Sequence, residues 1–248
     1  MKAIILAAGQ GSRLRPLTYA IPKPLLPVGG RPVIDYVIDN LSACGQIDEV
    51  YVAVSHAASV IRAYFHHANH HRLKISVVRT LGWETGGDLK TVLIEKNITS
   101  PVVVCYGDNV TQPNVSELLD FHSKNPSSYA SMLLFSVPRS DASRFGIAEL
   151  QGEKITRFIE KPQPGSTISN LANAGYFVLN PDALSNVQMK KFKLESECFP
   201  QWAAERKLGG IVQQLKMWID IGTIDSYRAA NKLVEEILPP PSTHQQNE

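Results

Sequence analysis

The sequence has few cysteines, no long apolar run and no excess of either charge. Cys44, Cys105 and Cys198 are odd in number, far apart and without Cys-x-x-Cys spacing, which argues against a disulfide framework and against a zinc site. They read as three buried or idle thiols. The apolar start, Met1 to Ala8, meets Gly9 too early to serve as a signal h-region or a membrane span. The expectation is a soluble, cytoplasmic protein with no membrane partner. Lys and Arg total 25 against 23 Asp and Glu, a formal net charge of +2, spread along the chain. Such a balance lacks the concentrated positive footprint of a nucleic-acid binder, so an anionic ligand must be held by local residues. At 248 residues the chain is long enough for one large α/β domain and too short for two generous ones.

Short β-branched runs recur at Ala3–Leu6, Glu49–Val54, Lys74–Val78, Val102–Cys105, Ala130–Val137 and Ala174–Leu179, with helical patterns at Pro32–Cys44 and Ala58–His67 between them. That alternation predicts an α/β fold, a doubly wound, mostly parallel (Rossmann-like) sheet covered on both faces. Gly146–Leu150 and Lys154–Ile159, separated by Gln151-Gly152-Glu153, read as a hairpin that adds a small antiparallel extension. Residues 1–238 are expected to form one domain. The proline-rich polar stretch 239–248 has too little apolar matter to pack and is expected to be disordered.

In doubly wound sheets ligands settle beyond the carboxyl ends of the strands, which directs attention to the loops after Leu6 and Cys105. Gly9-Gln10-Gly11-Ser12-Arg13-Leu14-Arg15 follows the first strand. Glycines there let backbone amides approach a polyphosphate, and Arg13 and Arg15 can neutralise it. No Gly-Lys-Ser/Thr follows and the third glycine of a dinucleotide fingerprint is missing, so the loop alone decides little. Further on, Lys23 lies between Pro22 and Pro24, whose fixed φ angles make a stiff strap that can present the ammonium to a phosphate. Asp108 stands just after Val102–Cys105, where a carboxylate can meet a metal-bound phosphate or cap a turn. Asp220, flanked by Trp218, Ile219 and Ile221, needs a partner to offset desolvation, and a cation would serve. His66, His67, His70 and His71 pair at i, i+4 without a carboxylate or cysteine and read as a solvated helix face.

The run from Ala7 to Thr18 and the run Pro22-Lys23-Pro24-Leu25-Leu26-Pro27-Val28 closely resemble the signature of the sugar nucleotidyltransferase (sugar-1-phosphate pyrophosphorylase) family. The similarity continues to about Leu233 through Tyr106-Gly107-Asp108-Asn109, Phe158-Ile159-Glu160-Lys161-Pro162, Asn173-Ala174-Gly175 and Trp218-Ile219-Asp220-Ile221-Gly222-Thr223. The resemblance implies transfer of a nucleoside monophosphate from an NTP to a sugar 1-phosphate with release of pyrophosphate. It implies catalytic roles for Arg13, Lys23 and Asp108, and Mg2+ held by Asp108 and Asp220. Nucleotide contacts fall on Ala8, Gly9, Gly11 and Gly87, the last on a loop close to the base. A sugar-phosphate pocket falls on Gly146, Glu160, Lys161, Asn173 and Gly175, with Lys161 on the phosphate and Glu160 on sugar hydroxyls; a surface ion pair of neighbours is the plainer reading of Glu160-Lys161.

Such chemistry is in-line displacement at the α-phosphorus, driven by positioning and electrostatics, and a sugar phosphate that is already anionic needs no general base. Trp83-Glu84-Thr85-Gly86-Gly87-Asp88 departs from the Gln-rich pattern of thymidylyl and bacterial glucose-1-phosphate uridylyl enzymes, which disfavours dTTP. It leaves base and sugar open among UTP, CTP and GTP. The hexapeptide-repeat β-helix that many relatives append is not in the sequence, and with it would go an acetyltransferase activity and a trimer-forming element, leaving homo-oligomerisation open. A phosphocholine cytidylyltransferase, which would need an aromatic cage, and a non-catalytic sugar-nucleotide-binding homologue are the rival readings.

Overall fold

The computed structural model describes residues 1–67 and 72–237. The chain runs through β1 (Lys2–Leu6), α1 (Leu17–Ala20), β2 (Pro27–Val28), β3 (Arg31–Pro32), α2 (Val33–Ala43), β4 (Glu49–Val54), α3 (Ala58–His67) and β5 (Lys74–Arg79). It continues through α4 (Glu84–Glu95), β6 (Val102–Tyr106), β7 (Asn109–Thr111), α5 (Val115–Lys124), β8 (Ala130–Ser136), β9 (Gly146–Gln151), β10 (Lys154–Glu160) and β11 (Leu171–Leu179). The last elements are α6 (Phe199–Ala204), β12 (Leu208–Val212), β13 (Trp218–Asp220) and α7 (Ile224–Ile237).

Nine strands form one sheet in the order β5-β4-β1-β6-β11-β8-β12-β10-β9. The first four are parallel, β12 runs parallel to β8, and β11 enters antiparallel between β6 and β8. The near-continuous apolar character of β1, β4 and β6 follows from burial on both faces. Successive residues point to opposite sides: Ile5, Val52 and Val103 join a core with α2, α3 and α5, while Ile4, Ala53 and Val104 join one with α4 and α6. Burying such a side chain contributes roughly 1.5–3 kcal/mol relative to exposure. Helix α2 forms because Val33, Ile34, Val37, Ile38 and Leu41 repeat at helical spacing and are buried. Helix α5 starts where Asn114 accepts the Glu117 N–H at 3.1 Å.

The doubly wound sheet and the β9–β10 hairpin follow the sequence expectation. Strand β11 begins three residues earlier than its β-branched run, at Leu171, because Asn173 to Phe177 carries a register shift that lets it pair with both β8 and β9. A third apolar cluster, including Leu14, Leu26, Val110, Ile221 and Val234, packs the segment after β1 and α7 around a two-stranded β7–β13 ladder. The stretch 239–248 and His70 and His71 lie outside the described residues.

Candidate active site

A cleft of about 680 Å³ opens beyond the carboxyl ends of β1, β4 and β6, within the range of small-ligand sites. Ala8, Gly9 and Asp108 line it, with Ser55, Thr85 and Glu195 on other walls. Ser55 Oγ donates to the Ala8 carbonyl at 2.7 Å, which fixes the exit from β1. Gly11 adopts φ +64°, and a Cβ there would lie 2.8 Å from Thr18 Cγ2 and 3.2 Å from Lys23 Cβ. Only glycine lets the loop close on the strap. Thr18 Oγ1 donates to the Gly11 carbonyl at 2.9 Å and completes that closure.

The strap delivers Lys23 to Asp108: its Nζ donates to Asp108 Oδ2, with side chains 13% and 33% exposed. Asp220 reaches the same place through the ladder, since β13 pairs antiparallel with β7 and sets Asp220 opposite Asn109. The Ile221 N–H donates to the Asp108 carbonyl at 3.1 Å. Two carboxylates over a hundred positions apart in sequence thus become neighbours. The Arg13 guanidinium lies on the same side of Gly222 as Asp220: a Cβ there would be 3.5 Å from Arg13 Nη2 and 2.4 Å from Asp220 Oδ2. Arg15 does not join them; it stacks over the Tyr19 ring at 5.1 Å.

The apolar flanks of Asp220 predicted a desolvated acid, and the structure corrects this. Its side chain is 33% exposed and accepts the Gly222 N–H at 3.1 Å at the end of β13, where all three strand residues are half-buried and Ile221 just beyond is the one that is buried. Among the described residues no group of three His, Cys, Asp or Glu could hold a metal. The Asp108–Asp220 pair still suits magnesium, a hard cation commonly held by one or two carboxylates together with substrate phosphates. His66 and His67 sit exposed in the last turn of α3, away from the cleft.

Gly87 is a second correction. It belongs to the first turns of α4 rather than to a loop, is buried, and does not line the cleft. A Cβ on Gly87 would meet the Lys190 carbonyl at 2.7 Å, and one on Gly86 the Phe192 ring at 2.1 Å. These glycines let α4 pack against residues 190–192. Their neighbours Glu84, Thr85 and Asp88 are the ones that face the cleft. Burial raises the Asp88 carboxyl above its usual range, opposed by hydrogen bonds that include the Trp83 N–H at 2.9 Å.

The expected sugar-phosphate residues gather on the β9–β11 side. Gly146 opens β9 directly opposite Glu160 at the end of β10. Lys161 follows with φ +49°, and its N–H donates to the Phe145 carbonyl at 2.9 Å. Its Nζ lies 3.6 Å from Glu160 Oε1, so the neighbouring pair does form, with Lys161 61% exposed. Burial raises the Glu160 carboxyl, and Lys161 opposes the shift. Asn173 Oδ1 accepts the Gly175 N–H at 2.9 Å across the register shift in β11. Gly175 has φ +82°, and a Cβ there would lie 2.3 Å from Asn109 Nδ2.

Tyr106 ties the two sides together. Its hydroxyl donates to Glu195 Oε1, while Thr85 Oγ1 donates to Glu195 Oε2 at 2.6 Å. Burial and the Glu195 carboxylate push its phenol well above the ordinary range. Glu195 lies in a π-helical turn, Leu194–Cys198, and neither it nor Thr85, Lys191 or His56 was found from sequence. Tyr106 stood inside a quoted motif, but nothing in the spacing around Glu195 marks it.

A family model described as nucleotidyl transferase matches residues 2–237. The chain is 33% identical over 228 residues to a mannose-1-phosphate guanyltransferase of Yarrowia lipolytica, covering 90% of this chain and 61% of that protein. It is 30% identical over 245 residues to mannose-1-phosphate guanylyltransferase 1 of Arabidopsis thaliana, covering 96% and 66%. It thus spans between three fifths and two thirds of the length of these relatives. Among solved structures, a Bacillus anthracis protein assigned as glucose-1-phosphate thymidylyltransferase and bound to sucrose superposes with a TM-score of 0.81 at 27% identity, covering 96% of each chain.

Proposed function

The chain belongs to the nucleotidyl transferase family, and from that premise we propose that it joins a nucleoside triphosphate to a sugar 1-phosphate and releases pyrophosphate. One observation carries the reading: Asp108, with Lys23 on it and Asp220 beside it, stands at the carboxyl edge of β6 next to the glycine loop after β1. A polyphosphate on the Ala8–Gly11 amides would meet Arg13 and Lys23, whose charge-assisted hydrogen bonds suit its oxygens. Asp108 and Asp220 would hold Mg2+, which when bound neutralises charge on the phosphates.

The sugar phosphate would bind on the β9–β11 side with Lys161 on its phosphate and Glu160, Asn173 and Glu195 available to hydroxyls. Its phosphate oxygen forms a new bond to the α-phosphorus as the α–β anhydride bond breaks and pyrophosphate leaves. No proton need be removed from the nucleophile and no covalent enzyme intermediate is required. The electrostatic terms act in a preorganised cleft, where they are worth most.

The Yarrowia and Arabidopsis relatives make guanosine diphosphate mannose the first product to test. Glu84, on the cleft wall, is an acceptor matched to the N–H edge of guanine. Phosphocholine is a poorer fit, because Glu160, Asn173 and Glu195 make that side a polar set suited to hydroxyls. The site is tested by a matrix of five nucleoside triphosphates against sugar 1-phosphates, read as pyrophosphate release with Mg2+. Release that depends on both substrates supports the reading, and its absence across the matrix refutes it. No helix among the described residues is long and apolar enough to cross a membrane.

A further inference from the structure

Each carboxylate of the proposed metal pair already has a cation beside it. Lys23 stands on Asp108, and Arg144 Nη2 lies 4.0 Å from Asp220 Oδ1. Arg144 ends the 3₁₀ turn Arg139–Arg144, two residues before Gly146. Its other contacts are as loose: Nη1 is 4.0 Å from Asp141 Oδ2, and the guanidinium is 5.5 Å from the Phe145 ring centroid. The side chain is 57% exposed.

What is fixed is its base. The Phe145 carbonyl accepts the Lys161 N–H at 2.9 Å, and the Phe145 ring packs edge-on against Trp218 with centroids 5.0 Å apart. Trp218 shares β13 with Asp220. Phe145, the residue after Arg144, is thereby pinned both to the proposed sugar-phosphate lysine and to the strand that carries the second carboxylate. From that post a flexible guanidinium can serve either.

We propose that Arg144 is an exchangeable counter-ion: it neutralises Asp220 in the free protein and moves to the phosphate of the incoming sugar 1-phosphate. This rests on the reading of the site given above. Two features favour it. A half-exposed pair at 4.0 Å is worth little, so exchange costs little. The guanidinium fork matches phosphate oxygens better than a single carboxylate held at that distance. Asp220 is then more available to a divalent cation once phosphate arrives, so phosphate strengthens metal binding. By linkage the metal must strengthen phosphate binding by the same factor.

The test uses the full chain and Mn2+ followed by electron paramagnetic resonance, with inorganic phosphate as the probe, in wild type, Arg144→Gln and Arg144→Lys. Without phosphate, Arg144→Gln should bind Mn2+ severalfold more tightly than wild type, and Arg144→Lys should stay near wild type. Phosphate should raise the Mn2+ affinity of wild type severalfold and that of Arg144→Gln clearly less. Equal Mn2+ affinities without phosphate, or equal enhancement in wild type and Arg144→Gln, would overturn the proposal. A second readout applies once a substrate pair is known. Arg144→Gln should raise KM for the sugar phosphate roughly tenfold and that for the triphosphate by about twofold or less, whereas equal rises for both contradict it. The Mn2+ measurement needs no turnover. Failure of the wild-type protein to release pyrophosphate would count against the enzymatic reading alone.

Discussion

On the β1–β4–β6 side of the cleft, the groups proposed for a polyphosphate come from one short stretch of chain: Ala8, Gly9 and Gln10 on the cleft wall, then Arg13, then Lys23 on Asp108. On the β9–β11 side the polar groups arrive one at a time, from β9, β10, β11 and the π-helical turn that carries Glu195. The first side brings Arg13 and Lys23 beside Asp108 and is held by a glycine that closes the loop. The second is rich in carboxylate, amide and phenol, and burial shifts its titrating groups, Glu160 and Tyr106. The contrast suits two substrates of different chemistry, a polyanion and a polyhydroxylated sugar. The β7–β13 ladder, with Asp108 just before β7 and Asp220 at the end of β13, is where the two sides meet.

The comparison is broken most severely at that meeting point. Lys23→Ala should lower kcat/KM by about 10²- to 10³-fold, as loss of one charge-assisted contact to the transition state does. Asp108 is one-third exposed, so removing its partner should change unfolding stability by less than about 1 kcal/mol. Steady-state kinetics and thermal unfolding of the same preparation check both halves. Unaltered turnover would remove Lys23 from the phosphate site.

A smaller effect sharpens the role of β11. Gly175→Ala forces a side chain into φ +82° and against Asn109 Nδ2 at 2.3 Å, so it should destabilise the fold by at least about 1–3 kcal/mol. Because Asn109 also pairs with Asp220, the variant should lose activity beyond its loss of stability. Denaturant unfolding compared with turnover at a temperature where the variant is folded separates the two. A variant as stable as wild type would show that β11 does not hold the ladder.

The smallest effect concerns Glu160. Its carboxyl is raised by burial, so the folded state favours the protonated form. The stability it supplies is full below the unfolded value of about 4.3 and is lost as pH rises through the folded value. Glu160→Gln should therefore raise Tm at neutral pH and change it little near roughly pH 4, while weakening sugar-phosphate binding. A Tm gain that is the same at both pH values would contradict the burial argument.

How legible each side was in the sequence follows from the same contrast. The glycine loop, Lys23 between its prolines and Asp108 after an apolar strand are local patterns that residue chemistry singled out as candidates, but the loop alone decided little, Asp108 read also as a turn cap, and the family resemblance supplied their roles. The parallel strands were legible because two-sided burial leaves an unbroken apolar run. Strand β12 was not, since Leu208-Gly209-Gly210-Ile211-Val212 carries two glycines that weaken strand propensity. Glu160, Lys161, Asn173 and Gly175 entered through family resemblance, because what joins them is the pairing of β9 with both β10 and β11. Glu195 escaped both routes, and Thr85 stood in a run compared with the family but was given no role. Gly87 was misplaced because two adjacent glycines read as a loop, whereas the pressure of Lys190 and Phe192 makes them the residues a helix can use there. Asp220 was misjudged for a related reason: apolar neighbours in sequence do not bury a residue at the end of a three-residue strand.

The most direct test of the central claim is a phosphorus magnetic resonance time course on a mixture of the full chain, Mg2+, the best triphosphate and the best sugar 1-phosphate. The account predicts that a diphosphodiester pair of signals and pyrophosphate grow together in equal amounts, and that both triphosphate and sugar phosphate signals fall in step. Triphosphate consumed to monophosphate or diphosphate with the sugar phosphate untouched, or no consumption at all, would contradict it.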